Sequence, residues 1–158
     1  MERTKLTSGI HARMGDPLPD ESGQPLSPTS LPLARSVEVD VSVVIVTWNS
    51  AAWIGLCLEA LPAACGTLRY EVIVHDNASA DRTAEVAEAS PIDELRVMRG
   101  VSNDGFAGGV NQSLRATRGR YLLLLNPDCI ADPGSISRLV EHLEREPKTA
   151  AAAPLLVD

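Results

Sequence analysis

Four short polar clusters in this chain have residue types and spacings that suit chemistry. Asp128 follows an aliphatic run, Tyr121-Leu-Leu-Leu-Leu125, where a carboxylate has few structural reasons to sit. A hard divalent cation takes oxygen ligands, and Mg²⁺ commonly uses one or two carboxylates plus substrate phosphates. Asn126 offers a second, amide oxygen, and Pro127 stiffens the turn between them. The competing reading of Asn126-Pro-Asp128 is a type I turn with no ligand. Asp76 directly follows Val72-Ile-Val-His75 and suits hydrogen bonds from a base or ribose, although Asp-Asn pairs also favour plain turns. Gly105, Gly108 and Gly109, with Asn111 just beyond, make a flexible stretch entering a helix. Such a stretch lets backbone N–H groups approach a phosphate, or else meets a need for small residues in helix–sheet packing. The fourth cluster is Thr47-Trp-Asn-Ser50.

Each cluster stands at the end of an apolar run, and these runs are the elements that must position it. Val41-Ser-Val-Val-Ile-Val-Thr47 reads as a strand covered on both faces. Ser50 is expected to cap a helix from Ala51, with Ile54, Cys57, Leu58 and Leu61 on one face and Pro62 ending it. A strand over Tyr70–His75 follows, then a helix capped by Ser79 or Asp81 and running to Ala89. Leu95–Met98 is a third strand. Phe106, Val110 and Leu114 mark the inner face of a third helix. Tyr121–Leu125 is the fourth strand. Asp132 as N-cap before Pro133 starts a last helix running to Arg145, and 150–157 reads as a fifth strand. This alternation predicts an α/β fold, a mostly parallel Rossmann-like sheet with helices on both faces. Ligands of such sheets sit at the carboxyl ends of the strands, where all four clusters fall. Residues 1–40 hold five of the eleven prolines and no periodicity, and read as a flexible leader before a domain over 41–158.

Composition narrows the function further. The formal net charge is −7 and the pI about 4.9, the wrong sign for sequence-independent binding of nucleic acid. An anionic ligand would need a local donor loop or a metal, because the overall field repels it. The three cysteines, Cys57, Cys65 and Cys129, form no CxxC and read as reduced thiols of a cytoplasmic protein. No aliphatic run approaches the roughly 20 residues of a spanning helix, and the first residues lack a signal peptide's apolar core. Peripheral contact with the inner face of a membrane stays compatible with the sequence.

Taken together and in order, four segments resemble the large family-two glycosyltransferases of the glycosyltransferase-A fold, most closely the rhamnosyltransferase-like branch. They are Val41 to Ser50, Glu71 to Asp81, Asn103 to Asn111 and Gly119 to Asp128. The resemblance covers residues 41–158 and implies a donor-binding half with a nucleoside-diphosphate sugar, UDP- or dTDP-linked, as ligand. It places Thr47, Trp48 and Asn49 against the nucleoside and gives the base to Asp76. Gly108 and Asn111 stand beside the donor. Asn126 and Asp128 occupy the place of the family's Asp-x-Asp metal motif, implying Mg²⁺ or Mn²⁺. It also implies transfer with inversion to a polysaccharide or lipid-linked glycan, as in cell-wall biogenesis.

The sequence departs from the family pattern at several points. Trp48 replaces a common Tyr and can still stack. His75 stands where an aliphatic residue is usual, and it is expected to be a packing residue. Asn126 is neutral where a first Asp is frequent, as it often is in this branch. The family's acceptor site and catalytic base lie in a second half, so the fold is expected to be truncated and the isolated chain to bind donor weakly and transfer little. A non-catalytic nucleotide-binding or interaction module and an inactive fragment are the rival readings. A dinucleotide oxidoreductase is disfavoured because Thr47-Trp-Asn-Ser50 has no glycine to admit a pyrophosphate. A sugar nucleotidyltransferase is disfavoured likewise, for lack of a Gly- and Arg-rich loop there.

Overall fold

The computed structural model describes residues 39–154. Residues 1–38 of the expected leader lie outside that range, as do residues 155–158 of the expected fifth strand. Val39 and Asp40, assigned to the leader from sequence, belong to the domain. Val39 is buried, and the carbonyls of Val39 and Asp40 accept from the N–H groups of Arg120 and Tyr121.

The elements run β1 (Val41–Thr47), α1 (Ile54–Cys65), β2 (Tyr70–Asp76), α2 (Thr83–Glu88), β3 (Leu95–Arg99), α3 (Gly105–Leu114), β4 (Tyr121–Leu125) and α4 (Ser135–Arg145). All strand pairs are parallel and the sheet order is β3-β2-β1-β4. The chain steps outward from β1 to β3, then crosses back to place β4 on the other side of β1. That reversal makes the seam between β1 and β4 the topological switch point.

The two faces of β1 divide the core. Val41, Val43 and Ile45 join Ile54, Leu58 and Leu61 of α1, Ala87 of α2, and Ile136 and Val140 of α4. Val44, Val46 and Ile73 pack on the opposite face with Met98, Val110 and Ala116. This double coverage explains the unbroken β-branched runs of β1 and β2. It does not extend to β4, where Leu122 and Leu124 are each 45% exposed. Among the described residues β4 is an edge, paired only to β1.

Several helix boundaries differ from the sequence expectation, each for a local reason. Ser50 starts α1 with its carbonyl, which accepts from the N–H groups of Trp53 and Ile54, while its hydroxyl turns back to Trp48 O. Pro62 lies inside α1; it forfeits one N–H, and the helix continues to Gly66, whose φ of 61° ends it. Asp81, not Ser79, serves the start of α2, accepting from Thr83 N at 3.0 Å. In α3 the buried residues are Gly109 and Ser113, while Phe106 and Leu114 are exposed. Val110 packs on the sheet beside them, and at Gly109 the helix lies so close to Val46 and His75 that no side chain fits. At α4, Gly134 at φ 70° precedes the first turn, and Asp132 contributes its carbonyl to Ser135 N rather than a side-chain cap. Residues 150–154 form no strand.

At the amino end of the sheet, Glu71 is fully buried. It accepts from Ser42 Oγ at 2.7 Å, Arg118 N at 2.6 Å, Arg118 Nε at 2.9 Å and Arg96 Nη2 at 2.7 Å. Burial pushes this carboxyl up, but the hydrogen bonds from Ser42 and Arg118 outweigh it and hold it below the usual carboxylate range. The network ties β1, β2, β3 and the turn before β4 together at the end opposite the candidate site.

Candidate functional site

The four polar clusters converge at the carboxyl end of the sheet. Thr47 and Asp76 are register partners on adjacent strands. Thr47 is buried and donates from its hydroxyl to Asp76 Oδ1 at 3.1 Å. Ser79 donates to the same carboxylate from its hydroxyl and from its N–H, the latter at 3.1 Å. Asp76 is thus a nearly buried carboxylate clamped by three donors, with its backbone carbonyl taken by Gly100 N at 2.7 Å. A Cβ at Gly100 would sit 3.0 Å from that carbonyl and 3.2 Å from Ser102 O, a tight fit against two backbone oxygens.

The loop after β1 is locked to the loop after β2. Asn49 donates from its N–H to Ser79 Oγ at 2.8 Å, and its Oδ1 accepts from Ala80 N at 2.8 Å. Ala51 N donates to Asp81 Oδ2 at 3.1 Å, and Ser50 N to Thr83 Oγ1 at 2.7 Å. These contacts hold Asn49 and Ala78 at φ 51° and 55°, where non-glycine residues rarely sit. Trp48, between Asn49 and the end of β1, stands 59% exposed.

The glycine stretch is the first turn of α3 rather than a loop. Its first N–H, at Gly105, donates to Asn103 Oδ1 at 2.9 Å. Asn77 Nδ2 holds Gly105 O at 3.0 Å, so β2 fixes where the helix begins. Gly108 is half-buried in that first turn, where backbone N–H groups have no intrahelical acceptor. Gly109 fulfils the packing reading: a Cβ there would lie 2.7 Å from Val46 Cγ1 and 3.0 Å from His75 Cδ2. Asn111 is exposed one turn on and lines a cavity of about 440 Å³ with Met98, Gln112, Arg115 and Ala116. His75 is a packing residue, 1% exposed beneath Gly109, and neither ring nitrogen has a partner among the described residues.

Asn126 and Asp128 follow β4, beside Thr47 across the switch point. Both side chains are exposed, and neither makes a hydrogen bond or ion pair with the described residues. Asn126 O is occupied: it accepts from Cys129 N at 3.2 Å and from Cys57 Sγ at 3.6 Å. Burial, then the nearby Cys129 and Asp128, push the Cys57 thiol up to about 12. No cluster of three His, Cys, Asp or Glu side chains that could hold a metal occurs among the described residues. The free oxygens of Asn126 and Asp128 nevertheless fit a hard cation whose remaining ligands come from phosphates and water. From Asp76 at the end of β2 to Asn126 beyond β4 is a distance of two strand spacings, about 10 Å. That is the scale of a nucleoside and its diphosphate.

The sequence reading gave no separate site role to Ser79, Asn77 or Asn103. Ser79 carries a detectable signal, an acidic residue three positions earlier, but its sequence context also suits a helix cap. Asn77 and Asn103 act through contacts 28 and 2 residues away, and the longer one leaves no local trace.

The sequence and fold of this chain are matched by known proteins. The profile of "Glycosyl transferase family 2" matches residues 42–157. The chain belongs to that family. It is 33% identical over 119 residues to the succinoglycan biosynthesis protein ExoO of Rhizobium meliloti, covering 75% of this chain and 32% of that protein. Dolichol-phosphate mannosyltransferase of Pyrococcus furiosus is 29% identical over 105 residues, 66% of this chain and 30% of its own. The chain thus spans about a third of the length of these relatives. Among solved structures, the mannosyltransferase PcManGT of Pyrobaculum calidifontis, in complex with GDP-Man and Mn²⁺, superposes with a TM-score of 0.59. The two are 25% identical, over 65% of this chain and 32% of that one. S. aureus TarS 1-349 in complex with UDP shares the fold, with a TM-score of 0.62 at 20% identity over 74% of this chain and 38% of that one. Among the described residues no helix is long and apolar enough to cross a membrane.

Proposed function

We propose that this domain binds the nucleoside-diphosphate sugar, UDP- or dTDP-linked, of an inverting glycosyl transfer to a polysaccharide or lipid-linked glycan. The observation that carries this reading is the juxtaposition of a clamped carboxylate at the end of β2 with two free oxygens beyond β4, across the switch point. Asp76 receives the base, and Trp48 lies over it. Thr47, Asn49 and Ser79 work at one remove, by fixing Asp76 and the loop that carries Trp48. Gly108 and Asn111 border the donor, with the first turn of α3 presenting N–H groups toward its charge.

Asp128, assisted by Asn126, would hold Mg²⁺ or Mn²⁺. When bound, such a cation neutralises charge on a departing diphosphate. Deprotonation of the acceptor hydroxyl, which inversion requires, is assigned in this proposal to the part of such proteins beyond the matched third. The proposal therefore gives this domain donor binding and not the complete reaction. At a net charge of −7, a dianionic donor needs locally placed donors and a cation to bind here at all.

Trp48 supplies a direct test. Titration of UDP or dTDP with Mn²⁺ is expected to quench tryptophan fluorescence, and Trp48→Phe, which leaves only Trp53, removes the quench. Asp76→Asn is expected to weaken binding without unfolding the domain. A folded protein whose fluorescence ignores both nucleotides would sink the proposal and favour an interaction module.

A further inference from the structure

Asp76 keeps less acceptor capacity than a free carboxylate. The two oxygens of a carboxylate together take roughly four hydrogen bonds, two each. Three are spent within the domain: Oδ1 accepts from the hydroxyls of Thr47 and Ser79, and Oδ2 from the Ser79 N–H. The proton of each hydroxyl is accounted for. Ser79 Oγ itself accepts from Asn49 N at 2.8 Å, which leaves its hydrogen for Asp76. Thr47 Oγ1 lies 3.1 Å from Asp76 Oδ1 and 3.4 Å from His75 O, so the carboxylate is the nearer acceptor. Oδ1 is therefore full, and Oδ2 has room for one more N–H. Asp76 is only 4% exposed, so water cannot make up for a ligand N–H left without an acceptor there.

We infer that the Ser79 hydroxyl, by filling Oδ1 alongside Thr47, sets the base specificity of this site: it admits a base with a single ring N–H and turns guanine away. The inference rests on the nucleotide-binding reading above and narrows it. Uracil and thymine present one N–H, at N3, between two carbonyls. Guanine presents two in parallel, from N1 and from its 2-amino group, and needs both oxygens of a carboxylate open to take them. Hypoxanthine is guanine without that amino group and presents N1–H alone. Guanine held through N1–H on Oδ2 would leave its amino group against a filled Oδ1, and an enclosed N–H without an acceptor is unfavourable. Of the two hydroxyls on Oδ1, that of Thr47 is buried, whereas Ser79 is half-buried, so the Ser79 side is the one that a base reaches. Taking the Ser79 hydroxyl away leaves one opening on each oxygen, the pattern guanine needs, because the bond from the Ser79 backbone to Oδ2 persists.

The test measures dissociation constants of UDP, inosine diphosphate and GDP for the full chain with Mn²⁺. Wild type is expected to bind UDP, and to bind inosine diphosphate about tenfold more tightly than GDP, since these two differ only in the amino group. Ser79→Ala is expected to bring that ratio to within about twofold, while Ser79→Thr, which keeps the hydroxyl, preserves it. The ratio is the readout because Ser79 Oγ also holds Asn49 N, and losing that contact weakens every nucleotide alike. Circular dichroism checks folding; if Ser79→Ala does not fold, Thr47→Val opens the same oxygen and is expected to lower the ratio likewise. Equal affinity of wild type for the two purine nucleotides, including no measurable binding of either, overturns the inference, while UDP binding still upholds the nucleotide site. A wild-type preference that Ser79→Ala leaves unchanged overturns the role of Ser79. A folded protein that binds none of the three overturns the nucleotide-binding reading and this inference with it.

Discussion

Replacing Glu71 with Gln removes the charge of a fully buried carboxylate while keeping its shape. The carboxylate accepts four hydrogen bonds, three of them at the amino ends of β1 and β4 and one from Arg96. Hydrogen bonds to a charged group contribute roughly 1.5–3 kcal/mol each in favourable cases. Those figures do not add here, because Arg96 and Arg118 are 47% and 48% exposed and regain water when the partner is lost. The two donors that cannot leave are Ser42 Oγ and Arg118 N. One Gln oxygen serves one of them, and the Gln NH₂ is turned against another donor. The expected loss is therefore about 2–3 kcal/mol, below the 3–5 kcal/mol of stripping a partner from a fully buried pair. Urea unfolding followed by circular dichroism measures it as a fall in midpoint at unchanged slope. The pH dependence carries a second signature. The folded carboxyl titrates below its unfolded value, so its contribution is present above the usual carboxylate range and is lost as pH falls through the folded value. Wild type and Glu71→Gln should converge in stability as pH drops below about 4. A difference under about 0.5 kcal/mol at pH 7 would refute the reasoning, as would a gap that persists in acid. Nucleotide binding should not change, because Glu71 lies at the opposite end of the sheet.

Three other predictions follow from single contacts. Gly109→Ala puts a methyl 2.7 Å from Val46 and 3.0 Å from His75, so overpacking of about 1–3 kcal/mol should exceed the roughly 1 kcal/mol gained in helix propensity and lower Tm. His75→Leu removes two buried nitrogens without partners and is expected to raise unfolding free energy by about 1 kcal/mol, read from the same urea curves. Thr47→Val removes one of three donors to Asp76 and should weaken nucleotide binding three- to tenfold while leaving the fold intact, measured by fluorescence titration.

Much of this fold is legible in the sequence because the sheet is buried twice over. The β-branched runs of β1 and β2 could be little else, and their ends locate Thr47 and Asp76 to the residue. The convergence of the clusters on one edge follows from a parallel sheet alone. What escaped the sequence depends on long-range contacts or close approach. Phe106, Val110 and Leu114 have helical spacing, but only Val110 packs on the sheet; α3 also turns Gly109 and Ser113 inward, because at Gly109 it lies too near Val46 and His75 for a side chain. Glu71 looks like the polar break in an apolar strand, and nothing nearby announces Arg96 and Arg118. At Ser50 and Asp132 the sequence suggests side-chain caps, but the backbone carbonyl takes the first N–H groups instead. Which residues gather at this edge of the sheet is readable from the sequence, and what each side chain touches is not. Thr47 reads as a ligand contact, yet its hydroxyl is spent on Asp76, and Ser79 shares that task.

The most direct test of the donor-site claim is calorimetric titration of UDP and dTDP into the full chain, with Mn²⁺ and with EDTA, for wild type and Asp128→Ala. The account predicts binding of at least one nucleotide that requires the metal and is abolished by the substitution. Equal binding with EDTA, or unchanged binding by Asp128→Ala, would contradict it.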